Sequence, residues 1–252
     1  MYIKKSYDLG QVVQVEKDYP GNFGAPGQPR SPKRERTPEE VEKTNERNKA
    51  KKLQRILLAN FNPGDWHLTL TYEKEKRPGT AAEAKKELSR FLDKLRKQFR
   101  KAGIPFKWVA VTEIGSKGAA HHHLVLENIR SDLLDLPRLI QKLWTKGHPK
   151  YSSMYEEGDF EGLADYLAKG KTKEEVDGVS YSHSRNLIIP KPKKEKAHAR
   201  RWASEPKAPK GYYLEKGSLV NGINAWTGFP YQRYTLRRIN TGDERAKAKE
   251  KK

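Results

Sequence analysis

Apolar and polar positions alternate from Asp65 onward. In DWHLTLTY, Trp66, Leu68, Leu70 and Tyr72 fall on one face and Asp65, His67, Thr69 and Thr71 on the other, the period of a half-buried strand. Past Thr80 the period lengthens. Ala84, Leu88, Phe91, Leu95 and Phe99 recur every three or four residues, which predicts an amphipathic helix opened by Thr80 with Glu83 and stopped by Gly103. FKWVAVTEI and AHHHLVLEN predict two strands joined through GSKG as a hairpin. SDLLDLPRLIQKLWTKG predicts another helix, HPKYSSMY a short strand and DFEGLADYLAKG a short helix. That order predicts an α+β fold, an antiparallel sheet with flanking helices of ferredoxin-like or RRM-like type.

The flanks read differently. Residues 17–36, KDYPGNFGAPGQPRSPKRER, are rich in Pro, Gly and charge, so residues 1–36 are expected to form an extended N-terminal arm. A basic helix should follow, capped by Thr37 with Pro38 in its first turn and Glu40 three residues after the cap, and running to about Asn60. This helix and the α+β unit make a domain over 37–190. Residues 191–240 are basic and then aromatic, expected as short strands or an ordered extension packing on the domain, and 241–252 form a charged tail.

Charge narrows the partners. Lys and Arg number 52 against 32 acids, a net charge of +20, which favours a polyanion and above all nucleic acid. No stretch is apolar enough to span a bilayer, so no membrane role is expected. The chain has no cysteine, which excludes disulfides and thiolate-held zinc and fits a reducing cytosol. It also has no GxxxxGK[ST] loop, so unwinding of a duplex would fall to another protein.

The chemistry concentrates in two places. On a strand, His121 and His123 share one face while His122 points with Leu124 and Leu126. Two imidazoles two residues apart can grip one ion, and Glu113 on the preceding strand can complete a His, His, Glu set suited to Mn²⁺ or Mg²⁺. That requires an odd-numbered hairpin loop, as with a glycine bulge; an even loop would put Glu113 opposite Ala120 and away from His121. Glu127 shares the His123 face and is the alternative carboxylate, and hydrogen-bonded sheet histidines are the bland reading of the pair. The second place is ADYLAKG, where Tyr166 and Lys169, three apart, share a helix face. Packing is the ordinary role of such a tyrosine, yet a tyrosine nucleophile together with a His-held metal is a way to break a phosphodiester.

In these residues the chain resembles the HUH endonucleases, in particular rolling-circle replication initiators related to filamentous-phage replication proteins. WHLTLTY resembles the first motif of that family, EIGSKGAAHHHLVLEN the metal-binding second and ADYLAKG the Tyr-x-x-Lys third. The resemblance extends through YSHSRNLIIPKPKK and GYYLEKGSLVNGINAWTGFPYQRYT, covering most of the chain from Asp65. Two departures stand out: His122 occupies a place usually hydrophobic, leaving 121/122 and 122/123 to be weighed against 121/123, and the third motif carries a single tyrosine.

The resemblance implies a fold of the HUH nuclease type and an enzyme that nicks and joins single-stranded DNA. His121, His123 and Glu113 would hold the ion. Tyr166 would attack the scissile phosphate, giving a 5′-phosphotyrosine and a free 3′-OH primer, with Lys169 steadying the phosphate. Its partners would be single-stranded and origin DNA, with a hairpin, and a host helicase and replication machinery, in the bacterial cytoplasm. His67, Thr69 and Thr71 are candidates for contacting the strand, and Arg185, Lys191, Lys193 and Lys194 for contacting backbone phosphates. Trp202, Tyr212, Tyr213 and Trp226 are candidate stacking residues, with core packing the commoner role for each.

Rival readings keep a relaxase or a tyrosine-type transposase, or a non-catalytic nucleic-acid-binding module. In relaxases of the best-known type the tyrosine precedes the histidine motif, whereas Tyr166 follows it. Tyr151 and Tyr155 are weaker candidate nucleophiles, lacking a lysine three residues on.

Overall fold

The computed structural model describes residues 1–19, 30–32, 35–114, 119–129, 134–154, 160–168 and 181–239; the side chains of Tyr166 and Ala168 lie outside the described set. The chain divides into two compact units, Met1–Glu42 with Pro190–Lys252, and Lys43–Ile189. Together they give an α+β fold with two antiparallel sheets. Among the described residues no helix is long and apolar enough to cross a membrane.

The first eighteen residues, expected within an extended arm, instead form a hairpin of β1 (Tyr2–Asp8) and β2 (Val12–Asp18). The helix α1 (Pro38–Asn60) then runs the predicted length. Its cap is a reciprocal pair in which the Glu40 amide donates to Thr37 Oγ1 at 3.3 Å and the Thr37 amide to Glu40 Oε2 at 3.2 Å.

The second unit contains the predicted succession: β3 (Trp66–Leu70), α2 (Ala81–Lys101), β4 (Trp108–Ile114), β5 (Ala120–Leu126), α3 (Leu136–Leu143), β6 (Pro149–Ser153) and α4 (Glu161–Ala168). A short β7 (Ser182–His183), not foreseen, pairs with β4. The sheet runs β6-β3-β5-β4-β7, and its first four strands have the order of a ferredoxin-like βαββαβ unit. The helix α3 is shorter than expected because Pro137 fits only a first helical turn, where Asp135 caps the Arg138 amide at 3.1 Å.

Strand parity sorts the core. Leu68, Leu70, Ala110, Leu124 and Leu126 pack with Leu88, Phe91 and Leu95 of α2 and Leu136 and Ile140 of α3 on one face. On the other, Val109, Val111 and Val125 pack with Leu53, Ile56 and Leu57 of α1 and Leu163, Ala164 and Leu167 of α4. Each apolar side chain so buried contributes about 1.5–3 kcal/mol. The sheet is thus covered on both faces, and α4 lies on the face that carries the odd-numbered positions of β4 and β5.

The first unit is a six-stranded sheet that joins the two ends of the chain. Strands β8 (Lys193–Ala197), β9 (Tyr212–Leu214), β10 (Val220–Ile223) and β11 (Pro230–Arg238) meet the N-terminal hairpin in the order β10-β11-β2-β1-β8, with β9 also on β11. Residues 191–240, expected to pack on the nuclease-like domain, therefore form a sheet with the chain's own N-terminus. Val15, Tyr234 and Leu236 form one of its cores and Tyr19 and Phe229, with Tyr2 and Trp202, another. Between them a buried polar chain is satisfied: Lys17 donates to Gln232 Oε1 at 2.8 Å, and Gln232 donates to Asn221 Oδ1 at 2.9 Å.

Candidate metal and nucleotidyl-transfer site

The hairpin register sets the site. Ile114 pairs with Ala120, which leaves residues 115–119 to connect the strands, an odd number, and Glu113 lies directly opposite His121. Residues 115–118, where a glycine bulge was expected, lie outside the described set. Val111 and Thr69 flank His123 on the two neighbouring strands. Glu113, His121 and His123 therefore share one face of the sheet, the face on which α1 and α4 pack.

His123 is the best-held member. Its Nε2 is 3.3 Å from Glu113 Oε2, and its Nδ1 is 3.3 Å from Thr69 Oγ1. Burial lowers its pKa, opposed by the Glu113 carboxylate, and the balance keeps the imidazole neutral as a ligand must be. His67 stacks on it with ring centroids 5.5 Å apart and 24° between planes. Burial, with His123 beside it, pulls the His67 pKa down to about 4, and its buried Nε2 has no partner among the described residues.

Among the described residues no three His, Asp or Glu side chains already converge as a metal-binding group. The donors nevertheless fit a divalent ion. The 3.3 Å between His123 Nε2 and Glu113 Oε2 is close to the roughly 3 Å between neighbouring ligands on an octahedral ion with bonds of about 2.1 Å. His121 stands opposite Glu113, and an orphaned imidazole nitrogen lies beside the pair. Glu127 sits four residues beyond His123, about 13 Å along the strand and past Val125, so it does not join this cluster.

His122 points the other way. It is fully buried on the α2 face, with Nε2 2.7 Å from the Tyr72 hydroxyl and Nδ1 3.0 Å from Thr112 Oγ1, its ring edge-on to Trp144. Burial and the Glu87 carboxylate push the Tyr72 phenol well above its ordinary range, so that hydroxyl stays protonated and donates to Nε2. The remaining ring proton then sits on Nδ1 and is donated to Thr112. Burial, with His123 and His121 nearby, lowers the His122 pKa to about 3. This network was missed in the sequence, where alternation gave the direction of His122 but not its partners.

Residues 65–175 match the family model of the replication-associated protein ORF2/gene II protein. The match begins at the edge of β3, runs through α4 and supports a replication initiator protein. No curated protein and no solved structure matches the chain.

The remaining candidates are scattered. Tyr166 falls within α4, its side chain outside the described set, and Lys169 and Tyr155 lie outside it altogether. Tyr151 pairs with Leu68, on the α2 face away from His121 and His123, and donates to the Pro137 carbonyl at 3.1 Å; burial and the Asp135 carboxylate push its pKa up to about 12. Thr71 lies just past β3 and donates to the His148 carbonyl at 2.8 Å. Arg185 is exposed in the second unit, whereas Lys191, Lys193 and Lys194 are exposed in the first. Of the aromatics, Trp202 stacks on Tyr19 at 4.9 Å and Tyr212 joins the Val15 cluster, while Tyr213 and Trp226 stay exposed.

Proposed function

We propose that this protein is a rolling-circle replication initiator of the HUH endonuclease type, which nicks and rejoins single-stranded DNA through a tyrosine. The observation that carries the reading is the pairing of Glu113 with His121, which gathers a carboxylate and two imidazoles on the sheet face covered by the tyrosine-bearing helix. The family match over the same residues supports it.

In this reading His121, His123 and Glu113 hold Mn²⁺ or Mg²⁺, which when bound supplies Lewis-acid polarisation of the scissile phosphate. The Tyr166 hydroxyl loses its proton and attacks phosphorus in line. The P–O bond to the 3′ oxygen breaks, that oxygen takes a proton, and the products are a 5′-phosphotyrosine and a 3′-OH. Lys169 steadies the phosphate charge. Thr69 and His67 orient His123 rather than reading bases. The free 3′-OH primes synthesis by host enzymes, and a host helicase separates the duplex.

The test is a nicking assay on labelled single-stranded oligonucleotides bearing candidate origin hairpins, with Mn²⁺, comparing wild type, Tyr166→Phe and His123→Ala. A covalent protein–DNA adduct that disappears in both variants is expected. DNA binding with no adduct from any of the three, across several metals, would replace the enzyme with a non-catalytic nucleic-acid-binding module.

A further inference from the structure

The connection between β10 and β11 is built more firmly than its exposure requires. Asn224 Oδ1 accepts from the amides of Trp226 at 2.9 Å and Thr227 at 3.3 Å, and the Gly228 amide donates to the Asn224 carbonyl at 2.7 Å. Gly228 has φ +68°, and a Cβ there would lie 2.2 Å from the Ser31 carbonyl oxygen. The Ser31 amide in turn donates to the Gly228 carbonyl at 3.0 Å. Segment 30–32 and this turn therefore lock together, and only glycine fits the junction.

What the turn displays is an indole. Trp226 is 65% exposed, against 6% for Tyr19 and 5% for Phe229 in the neighbouring aromatic core. Cations surround it. The Arg36 guanidinium lies 5.6 Å from the Trp226 ring, and Arg30, 5.0 Å over Phe229, donates to the Thr227 carbonyl at 2.7 Å. An exposed indole on a pre-ordered turn loses little conformational entropy when it is covered. Its flat face suits another flat ring, and the two guanidinium groups suit phosphates.

We propose that the turn Asn224–Gly228 is a single-strand anchor: Trp226 stacks on a nucleobase while Arg36 and Arg30 meet the adjoining phosphates. A protein partner would also cover Trp226 and the neighbouring Ile223, which is 58% exposed, but the flanking arginines and a chain charge of +20 favour the polyanion. The inference rests on the nucleic-acid partner of the reading above and not on its chemistry. It places a base-stacking contact in the N- and C-terminal unit, outside the residues matched by the family model.

The experiment is fluorescence anisotropy with a fluorescein-labelled oligothymidylate of about 20 nucleotides, long enough for more than one contact, in EDTA so that no cleavage occurs. Trp226→Ala should weaken binding about tenfold, Trp226→Phe should hold within about threefold of wild type, and Arg36→Ala should reduce the salt slope by about one. Unchanged thermal melts of the variants show that folding is intact. Equal affinity of Trp226→Ala and wild type would overturn the anchor and leave the replication reading standing. Binding that depends on Trp226 in a wild-type protein that forms no adduct would uphold the anchor and remove the enzyme. A wild type that does not bind the oligonucleotide would overturn both.

Discussion

Replacing His122 by Leu tests whether the middle histidine is structural. The side chain is 0% exposed and holds two hydrogen bonds, to Tyr72 and to Thr112. Leucine restores the apolar volume but leaves the Tyr72 hydroxyl, on a residue 7% exposed, without its imidazole partner; Thr112, partly exposed, can turn to water. An orphaned buried hydroxyl costs about 1–3 kcal/mol, so β5 should lose about 2 kcal/mol of local stability. Adding Tyr72→Phe removes the orphan, and the double variant should recover most of that loss, a coupling of about 1–2 kcal/mol. Hydrogen exchange of the β5 amides, in EDTA, reads this locally in a two-unit chain. The same imidazole sets a pH dependence. Its folded pKa, about 3, lies below the unfolded 6.5, so the unfolded state binds more protons between those values and stability falls as pH drops from 6.5 toward 3. From pH 7.5 to 5 the wild type should lose about 2 kcal/mol through His122, and His122→Leu should lack that component. His122→Leu should also keep Mn²⁺ affinity within about threefold, since its side chain is on the wrong face. Lost Mn²⁺ binding in His122→Leu with binding retained in His121→Ala would refute the register argument.

Three further outcomes are expected. Glu113→Ala and His123→Ala should each weaken Mn²⁺ binding at least about tenfold by isothermal titration calorimetry, because each removes a donor from a cluster that starts with two groups 3.3 Å apart. Thr69→Val, which removes the partner of His123 Nδ1, should lower Mn²⁺ affinity by roughly 10–100-fold while leaving the melting temperature within about 2 °C, and unchanged affinity would show that Thr69 does not orient the ring. Gly147→Ala should lower the melting temperature by at least about 4 °C, because the new Cβ would lie 2.2 Å from the Thr71 carbonyl oxygen, and an undisturbed melt would mean that the close approach is relaxed in solution.

The second unit was legible because its signals are local. Caps at Thr37 and Thr80, the stop at Gly103 and the alternation of DWHLTLTY each depend on neighbours a few residues away, and each element stands where its pattern places it. The N-terminal hairpin was not. VVQVEKD carries only Val13 and Val15 on its covered face, with Lys17 completing the row, and Lys17 is buried only because Gln232, 215 residues later, accepts from it. Pairing at that separation leaves no trace in the composition of either segment. The role of His122 was hidden for the same reason, since Tyr72 lies 50 residues away. Parity along the strand could give its direction, and only the fold could supply its partner.

Three consecutive imidazoles on β5 thus serve both faces of one strand. His121 and His123 present donors toward Glu113, while His122 anchors the same backbone from beneath through Tyr72 and Thr112. The two tasks reinforce each other. A strand slip by one residue would exchange the faces, driving His121 and His123 into the α2 core and His122 out of its hydrogen bonds, so the buried pair of bonds selects the register that the site needs. A leucine at position 122 would bury as well and would satisfy nothing in particular. With histidine there, every misregistered pairing strands a buried imidazole and a buried phenol, a penalty of about 1–3 kcal/mol for each group, which narrows the strand to the one alignment that sets Glu113 opposite His121.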